Sequence, residues 1–340
     1  MRTDGLKELD AQVDLPDITE LAREIIAGRR LTRDDDLSFF SDADLSELCT
    51  AANEIRKTMC GDRVDLCSII NGRSGRCSEN CKFCAQSSHN CTGVEEYSFL
   101  ETAAILEDCR KHEDKGVHRY SIVTAGRDLS GDDLEKACRA YRAMKKECGI
   151  ELCASHGLLS ETAFAALREC GVSNYHENLE TSKRNFPNIC TTHTYEDKIA
   201  SIRLAQKVGF KVCSGGIIGM GETFEDRLDM AISLSELGVQ SIPLNALMPI
   251  PGTPYENLEQ LSEEDILRTI AMFRFINPAA WIRLAAGRSL MEDSGRKAFL
   301  SGANATITGD LLTTSGNNID QDKAMLRGMG FNLSSPTPLS

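Results

Sequence analysis

The sequence predicts an α/β protein, a (β/α)8 barrel preceded by a helical extension. Short apolar segments of strand-like composition alternate with helical segments after about residue 60, and this alternation is typical of a parallel sheet covered by helices. The 340 residues exceed one typical domain, but barrels commonly reach that size as single units. A hydrophobic content of 41% beside 26% charged residues is ordinary for a globular protein with a large core.

The helical extension is assigned to residues 1–60. Two amphipathic helices are predicted there, at residues 18–27 and 43–58, and nothing in them suggests chemistry. One face of the second helix is formed by Leu45, Leu48, Ala52 and Ile55.

The barrel is assigned to residues 61–331, and residues 332–340 form a tail. Its eight predicted strands are residues 64–70, 119–124, 150–154, 173–177, 211–218, 241–247, 281–285 and 303–307. One connecting helix carries clear end signals, since the segment from Thr223 to Asp226 resembles a capping box and Gly238 is suited to end the helix. Its shared apolar face consists of Phe224, Leu228, Ala231 and Ile232.

Charge and composition favour a cytoplasmic enzyme. The formal net charge of -13 argues against nucleic acid or an anionic membrane as a partner. The first thirty residues lack the apolar core of a signal peptide, and no run of eighteen apolar residues occurs. Fourteen cysteines in such a chain indicate reduced thiols and metal sites rather than disulfides. No role is expected for the cysteines in predicted helices, which are Cys49, Cys109, Cys138, Cys148 and Cys170.

The most informative motif is the triplet Cys77, Cys81 and Cys84, spaced C-x3-C-x2-C, with Phe83 before the last cysteine. Three thiolates can hold three irons of a 4Fe-4S cube and leave the fourth iron open to a ligand that is not protein. A structural zinc site is the alternative, but it normally needs a second pair of ligands with regular spacing. No such second pair follows in this sequence.

A barrel places its active site at the carboxyl ends of the strands, and the triplet follows the first predicted strand. Four polar residues lie towards the ends of later strands: Asn178, Cys213, Asn245 and Arg283. Each could be an ordinary buried polar group with its hydrogen bonds satisfied. Their shared position favours one common site.

The cysteine triplet resembles the motif of the radical S-adenosylmethionine (SAM) superfamily, and the wider sequence resembles the biotin synthase family. The resemblance covers about residues 60–331. The matching segments, in the order of the family, are 77–87 (CSENCKFCAQS), 175–181 (YHENLET), 188–195 (NICTTHTY), 211–222 (KVCSGGIIGMGE), 281–288 (WIRLAAGR), 301–304 (SGAN) and 311–314 (LLTT).

The resemblance implies a fold and a reaction. The fold is a barrel of the radical SAM kind, and the reaction is sulfur insertion into dethiobiotin to give biotin, with methionine and 5′-deoxyadenosine released. A radical is needed because no side-chain base matches the high pKa of an unactivated C-H bond. The cofactors carry this chemistry, and the protein orients them.

The resemblance also implies roles for individual residues. SAM would contact Phe83, the ribose-binding pair Asn178 and Glu180, and the glycine-rich stretch with Gly216, Ile218 and Gly219 beside the adenine. Dethiobiotin would meet Asn245 at its ureido ring and Arg119, Thr313 and Thr314 at its carboxylate. His176 stands where the family usually has an asparagine facing the substrate. It could satisfy the ureido group or be a structural histidine.

A second, auxiliary cluster is where the sequence departs from the family. Three of the usual ligand positions are present as Cys153, Cys213 and Arg283, but the fourth is Ser121. Two additional cysteines, Cys67 and Cys190, could compensate, whereas Cys60 and Cys91 are weaker candidates. We therefore expect a four-iron cluster with an extra sulfide, with Arg283 beside it and four thiolates from Cys67, Cys153, Cys190 and Cys213. The alternative is a 2Fe-2S cluster held by Cys67, Cys153, Cys213 and Arg283.

Partners and competing functions complete the predictions. The family suggests a homodimer and a small flavodoxin- or ferredoxin-type electron donor. Barrel relatives such as hydrogenase maturases or methylornithine synthase, which insert no sulfur, would need only the first cluster. A protein that merely senses or scaffolds through iron or zinc would bind metal without cleaving SAM.

Overall fold

A closed parallel sheet forms the centre of the protein, whose computed structural model describes residues 16–312 and 316–334. Every ladder in the sheet is parallel. The strands are β1 (Asp65–Arg73), β2 (Arg119–Thr124), β3 (Glu151–Ser155), β4 (Asn174–His176), β5 (Lys211–Cys213), β6 (Gly216–Ile218), β7 (Ser241–Ala246), β8 (Trp281–Leu284) and β9 (Ala305–Ile307).

The sheet closes because its two ends meet. The order β5-β4-β3-β2-β1-β9-β8-β7-β6 is completed by a bridge from Cys213 of β5 to Ser241 of β7. β5 and β6 therefore share one of the eight positions around the barrel, and the predicted (β/α)8 architecture is confirmed. The predicted strand 211–218 is broken at Gly215, where a side chain would overlap the backbone of Pro243.

Helices cover the outside of the sheet. They are α1 (Ile18–Ile26), α2 (Phe39–Asp42), α3 (Leu45–Cys60), α4 (Thr102–Asp114), α5 (Gly131–Glu147), α6 (Glu161–Glu169), α7 (Phe186–Ile189), α8 (Tyr195–Lys207), α9 (Phe224–Glu236), α10 (Glu263–Ile276), α11 (Arg296–Leu300) and α12 (Ile319–Gly328), with a 3-10 turn at Arg288–Leu290. The predicted capping box is present, because Thr223 accepts from the backbone of Asp226 and the Asp226 carboxylate accepts from the backbone of Thr223.

The N-terminal extension packs under the barrel. α3 lies against α10 and ends at Cys60, whose thiol contacts the carbonyl oxygen of Pro278 at 3.7 Å, just before β8 begins. Phe40 is completely buried, and its ring meets that of Phe275 edge-on at 5.5 Å. The extension therefore covers the amino ends of the strands and leaves the carboxyl ends to the site. Among the helices of the described ranges, none has the length and apolarity needed to cross a membrane.

Candidate active site

A cavity of about 420 Å³ runs through the interior of the barrel. The three cysteines of the motif line one end, in the loop after β1 that we call the cysteine loop (residues 74–91). Cys67, Cys153 and Cys213 line the other end, and we call this group the floor thiols. One chamber thus contains two separate sets of three thiols.

The cysteine loop holds its thiols through backbone hydrogen bonds. The backbone N–H of Cys84 donates to the carbonyl of Cys81 at 3.2 Å, and that of Ser88 donates to the carbonyl of Cys77 at 2.8 Å. The Asn90 amide donates to the carbonyls of Cys81 and Cys84. This network turns all three sulfurs towards the cavity, as a cube with one open iron requires.

Burial keeps the Cys84 thiol protonated until a metal arrives. Removal from water raises the pKa of Cys84 to about 11, because a thiolate is poorly stabilised there. Iron would displace that proton and balance the charge. The donor set therefore fits an iron-sulfur cube, and Phe83 lines the same end of the cavity.

Asn178 and Glu180 follow β4 and both line the cavity. The Asn178 amide donates to the Glu180 carboxylate at 3.2 Å, and its oxygen accepts from the backbone of Gly215 at 3.0 Å. Burial raises the pKa of Glu180 to about 6. Glu180 also has a φ of 69°, an unfavourable conformation for a residue with a side chain. A strained, buried acid at a cavity wall is a frequent feature of binding sites.

The glycine-rich stretch is positioned differently from expectation. Gly216, Ile218 and Gly219 do not line the cavity, whereas Ile217 does. A side chain at Gly216 would overlap the carbonyl oxygen of Glu180, since the two backbones form a bridge. The glycine there permits close packing of two chain segments, and the same bridge holds Glu180 in place.

Lys198 and Glu177 are cavity residues that the sequence analysis missed. Lys198 lies on α8, and its ammonium pairs with the buried Glu177 carboxylate. Nearby carboxylates, Glu177 first, hold its pKa above the ordinary value despite burial. The sequence contains little signal for this pair beyond a lysine in a well-capped helix, because its partner lies in the distant segment after β4.

His176 lines the cavity as a neutral imidazole. Burial lowers its pKa. Its Nε2–H donates to the Asn178 oxygen at 2.9 Å, and its Nδ1 accepts from the Ser155 hydroxyl at 3.0 Å. Both ring nitrogens are therefore used within the protein, which makes a direct contact with a ureido group less favourable than the sequence suggested.

Asn245 links three parts of the barrel at the cavity wall. Its amide donates to the carbonyl of Gly216 at 3.1 Å, and its oxygen accepts from the backbone of Ala286 at 3.1 Å. An amide has two N–H groups and two lone pairs. One N–H and one lone pair of Asn245 therefore remain available to a ligand in the cavity.

Arg119 lines the cavity at its floor end. It begins β2 at the floor and pairs with Asp65 at 3.0 Å and with Glu151 at 3.1 Å. The backbone carbonyl of Leu312 accepts a hydrogen bond from the Asn71 side chain of β1. Asn71 lies four residues further along β1 than Cys67, which is the residue paired with Arg119 of β2. Four strand residues span about 13 Å, and joint action of Arg119 with the 313–314 pair stays a prediction. Thr313 and Thr314 lie outside the described residues.

The floor thiols form a compact group. Cys67 and Cys153 hydrogen-bond to each other, and the Ser241 hydroxyl donates to Cys213 at 3.2 Å. The Ser121 hydroxyl lies beside Cys153 in the sheet register, is buried, and has no hydrogen-bond partner among the described residues. Three thiols and an orphaned hydroxyl facing one space fit a missing inorganic group.

Arg283 lies under this group, and both terminal nitrogens of its guanidinium donate hydrogen bonds. It pairs with the Asp65 carboxylate and donates to the carbonyl oxygens of Asp65 and Thr306 at 3.3 and 3.2 Å. Asp65 and the neighbouring thiols raise its pKa further despite burial. A protonated guanidinium has no lone pair to offer iron.

Cys190 is not brought to the floor, which corrects its grouping with Cys67, Cys153 and Cys213. It follows α7, and its thiol contacts His193 Nδ1 at 3.4 Å and lies within 4.8 Å of the Cys81 sulfur. The physical reason is the docking of this loop on the cysteine loop, where the Lys82 N–H donates to the carbonyl of Ile189 at 2.9 Å.

Each half of the chain matches a known protein family. Residues 73–234 match the radical SAM superfamily, and residues 243–332 match the biotin and thiamin synthesis associated domain. Two solved structures share the fold at low identity. They are a methylornithine synthase (TM-score 0.81, 22% identity, covering 94% of this chain and 98% of that one) and the FeFe-hydrogenase maturase of Carboxydothermus hydrogenoformans (0.75, 14%, 92% and 78%).

Sequence relatives are much closer. The chain is 75% identical to the biotin synthase of Alkaliphilus metalliredigens, over 93% of this chain and 100% of the relative. It is 66% identical to the biotin synthase of Clostridium beijerinckii, over 92% and 99%. At this identity and coverage, together with the two thiol sets in one barrel, the chain belongs to the biotin synthase family.

Proposed function

We propose that the protein converts dethiobiotin to biotin, with SAM as the radical source and an auxiliary iron-sulfur cluster as the sulfur source. The observation that carries this proposal is the single cavity with three thiols at each end. A barrel relative that inserts no sulfur needs only the cysteine loop. The floor thiols therefore favour sulfur insertion over the maturase and methylornithine synthase alternatives.

Each end of the cavity has a distinct task in this proposal. When bound, a 4Fe-4S cube and SAM supply a 5′-deoxyadenosyl radical, and the auxiliary cluster supplies sulfur. Asn178 and Glu180 hold the SAM ribose, and Lys198 places a positive charge in the same wall. Asn245 orients the ureido ring of dethiobiotin through its remaining N–H and lone pair. The enclosed barrel interior keeps water away from the radical.

We further propose that the auxiliary cluster has four irons, with Cys67, Cys153 and Cys213 as its thiolates. Three thiolates leave one iron without a protein ligand, and an extra sulfide can occupy that position. Cys190 is not needed for this arrangement. The engagement of Arg283 with Asp65 disfavours the 2Fe-2S alternative, in which the arginine would be a ligand.

The remaining proposals concern partners and location. A small flavodoxin- or ferredoxin-type protein is the proposed electron donor, a homodimer the proposed assembly, and the cytoplasm the proposed compartment. They rest on membership of the family and on an acidic chain with many unpaired cysteines.

Two variants test whether the cysteine loop and the floor thiols serve different steps of the reaction. Cys77→Ala should abolish dithionite-dependent formation of 5′-deoxyadenosine, because it removes one ligand of the cube. Cys153→Ala should keep formation of 5′-deoxyadenosine but lose biotin, because only the sulfur source is affected. Cys138→Ala, a buried cysteine on α5 outside the cavity lining, serves as the control. Normal biotin formation by Cys153→Ala would refute the proposal.

A further inference from the structure

A group of metal-binding side chains lies beside the cysteine loop and has no part in the proposed reaction. The ligand atoms of Cys81, Cys190 and His193 all lie within 4.8 Å of one another. Cys190 and His193 come from the segment between α7 and α8, whereas Cys81 comes from the cysteine loop. Two sulfurs and an imidazole at this separation are a suitable ligand set for a thiophilic divalent ion.

We infer that the cluster-free protein binds one divalent metal ion, of the class of Zn²⁺ or Fe²⁺, through Cys81, Cys190 and His193. The inference goes beyond the proposed function, because sulfur insertion uses neither Cys190 nor His193. Binding forms two metal–sulfur bonds and one metal–nitrogen bond and releases the protons that these atoms carried. The oxidation state of every atom stays unchanged.

The protein holds this group in place before any metal arrives. The Asn80 side-chain oxygen accepts from the backbone of Thr191 at 2.9 Å and of Thr192 at 3.2 Å, which fixes the segment carrying Cys190 on the cysteine loop. Cys190 is 3% exposed and His193 8%. Because buried ligands on a fixed backbone lose little freedom on binding, the arrangement favours affinity.

Neighbouring groups orient the ligands and favour a cation. The Glu79 carboxylate hydrogen-bonds to His193 Nδ1 and accepts from the Thr192 hydroxyl at 2.8 Å. Because the same ring nitrogen faces Cys190 at 3.4 Å, an ion bound at Nδ1 would replace the hydrogen bond to Glu79, and the carboxylate would then lie beside the ion and favour it by its negative charge. Cys81 also lines the cavity, so an ion can reach the group from there.

The shared cysteine makes the two metal sites mutually exclusive. Cys81 cannot bind the cube and a single ion in this arrangement at once. A thiophilic divalent ion would therefore compete with assembly of the cube, while Cys77 and Cys84 remain unused.

Cobalt titration of the cluster-free protein under anaerobic conditions tests the inference, because Co²⁺ reports thiolate ligation and tetrahedral geometry by its absorption. The wild-type protein should bind one Co²⁺ with thiolate-to-cobalt absorption. Cys190→Ala should weaken binding at least about tenfold, since even changes around a ligand cost 10–100-fold. His193→Gln should weaken it likewise, whereas Cys77→Ala should bind as the wild type does. Circular dichroism confirms that each variant is folded.

The comparison between Cys190→Ala and Cys77→Ala decides the outcome. Unchanged binding by Cys190→Ala, or loss of binding in Cys77→Ala, would show that the motif cysteines hold the ion and would overturn the inference. A second measurement follows reconstitution of the cube in the presence of Zn²⁺. Zinc should inhibit it less in Cys190→Ala than in the wild type, and equal inhibition would also contradict the inference. The cobalt result does not depend on whether the protein makes biotin.

Discussion

At the scale of single residues, the site depends on side chains whose ordinary properties are changed by burial. Glu180 is the clearest example, because burial raises its pKa to about 6 while the bridge to Gly216 holds its backbone at a positive φ. Asn245 differs, since its amide hydrogen-bonds to the backbone of Gly216 and Ala286 and still has an N–H and a lone pair for a ligand in the cavity. Each property leads to a measurement.

We predict that SAM binding weakens as the pH falls through about 6. Glu180 is an acid with a raised pKa, so its carboxylate exists above that pH and is neutralised below it. The carboxylate is the better acceptor for ribose hydroxyls. Equilibrium binding of SAM between pH 5 and 8 measures the effect, and Glu180→Gln should remove the pH dependence in this range. An identical pH profile in the variant would assign the dependence to another group.

Asn245→Ala should weaken dethiobiotin binding about ten- to a hundredfold and lower the free energy of unfolding. Loss of a buried hydrogen-bonding group costs about 1–3 kcal/mol, and this residue satisfies the backbone of both Gly216 and Ala286. Binding and chemical denaturation should be measured on the same preparation. Unchanged stability would contradict the bridging role, and unchanged binding would contradict the contact with the ureido ring.

At the scale of elements, the regular parts of the fold were predictable because they follow local patterns. Two of the three described helices of the extension, α1 and α3, follow from periodicity and end signals, as do the capping box of α9 and the β2 boundaries, whereas the short α2 was not predicted. The break between β5 and β6 did not, because it depends on the approach of Gly215 to Pro243 across the barrel.

In the site, too, features within one segment were predictable from the sequence, whereas contacts between distant segments were not. The cysteine triplet lies in one loop, so its spacing was sufficient. The position of Cys190 depends on where a distant loop docks, and the pairing of Lys198 with Glu177 joins a helix to the segment after β4.

Gly216→Ala should weaken SAM binding strongly, because the added methyl group would overlap the Glu180 carbonyl and separate the two segments. Gly328→Ala on α12 is the matched control, since a methyl group there meets nothing within 4 Å. The control should be neutral or slightly stabilising. Thermal unfolding and SAM binding of both variants test the prediction. Equal behaviour of the two variants would contradict it.

Phe40→Ala should lower the free energy of unfolding by about 3–5 kcal/mol, the usual cost of a large cavity in a core. Phe40 is completely buried between the extension and α10. Urea denaturation gives the value. A loss well below 1 kcal/mol would show that the extension packs only loosely under the barrel.

At the scale of the whole molecule, the barrel brings the cysteine loop together with the floor thiols, which come from β1, β3 and β5. With two four-iron clusters we predict about eight irons per chain, whereas a 2Fe-2S auxiliary cluster would give about six. Mössbauer spectra of anaerobically reconstituted protein distinguish the two. Ser121→Cys should change the auxiliary signal and remove the extra sulfide, because a fourth thiol beside Cys153 would occupy the position proposed for that sulfide. A 2Fe-2S signal in the wild-type protein would refute the four-iron proposal.

The two ends of the cavity also differ in their charge. This difference determines which set of thiols a wrong metal ion should bind first. At the floor, Arg119 and Arg283 share the buried carboxylate of Asp65, and the second partner of Arg119, Glu151, is partly exposed, so the thiols face two guanidinium groups and one fully buried carboxylate. An anionic cluster is stabilised by these guanidinium groups, and a bare cation is repelled. At the cysteine loop the carboxylates of Glu79, Glu177 and Glu180 outnumber the nearby cations of Arg127 and Lys198. Under an excess of zinc, the ion should therefore bind first at the cysteine loop and last at the floor thiols.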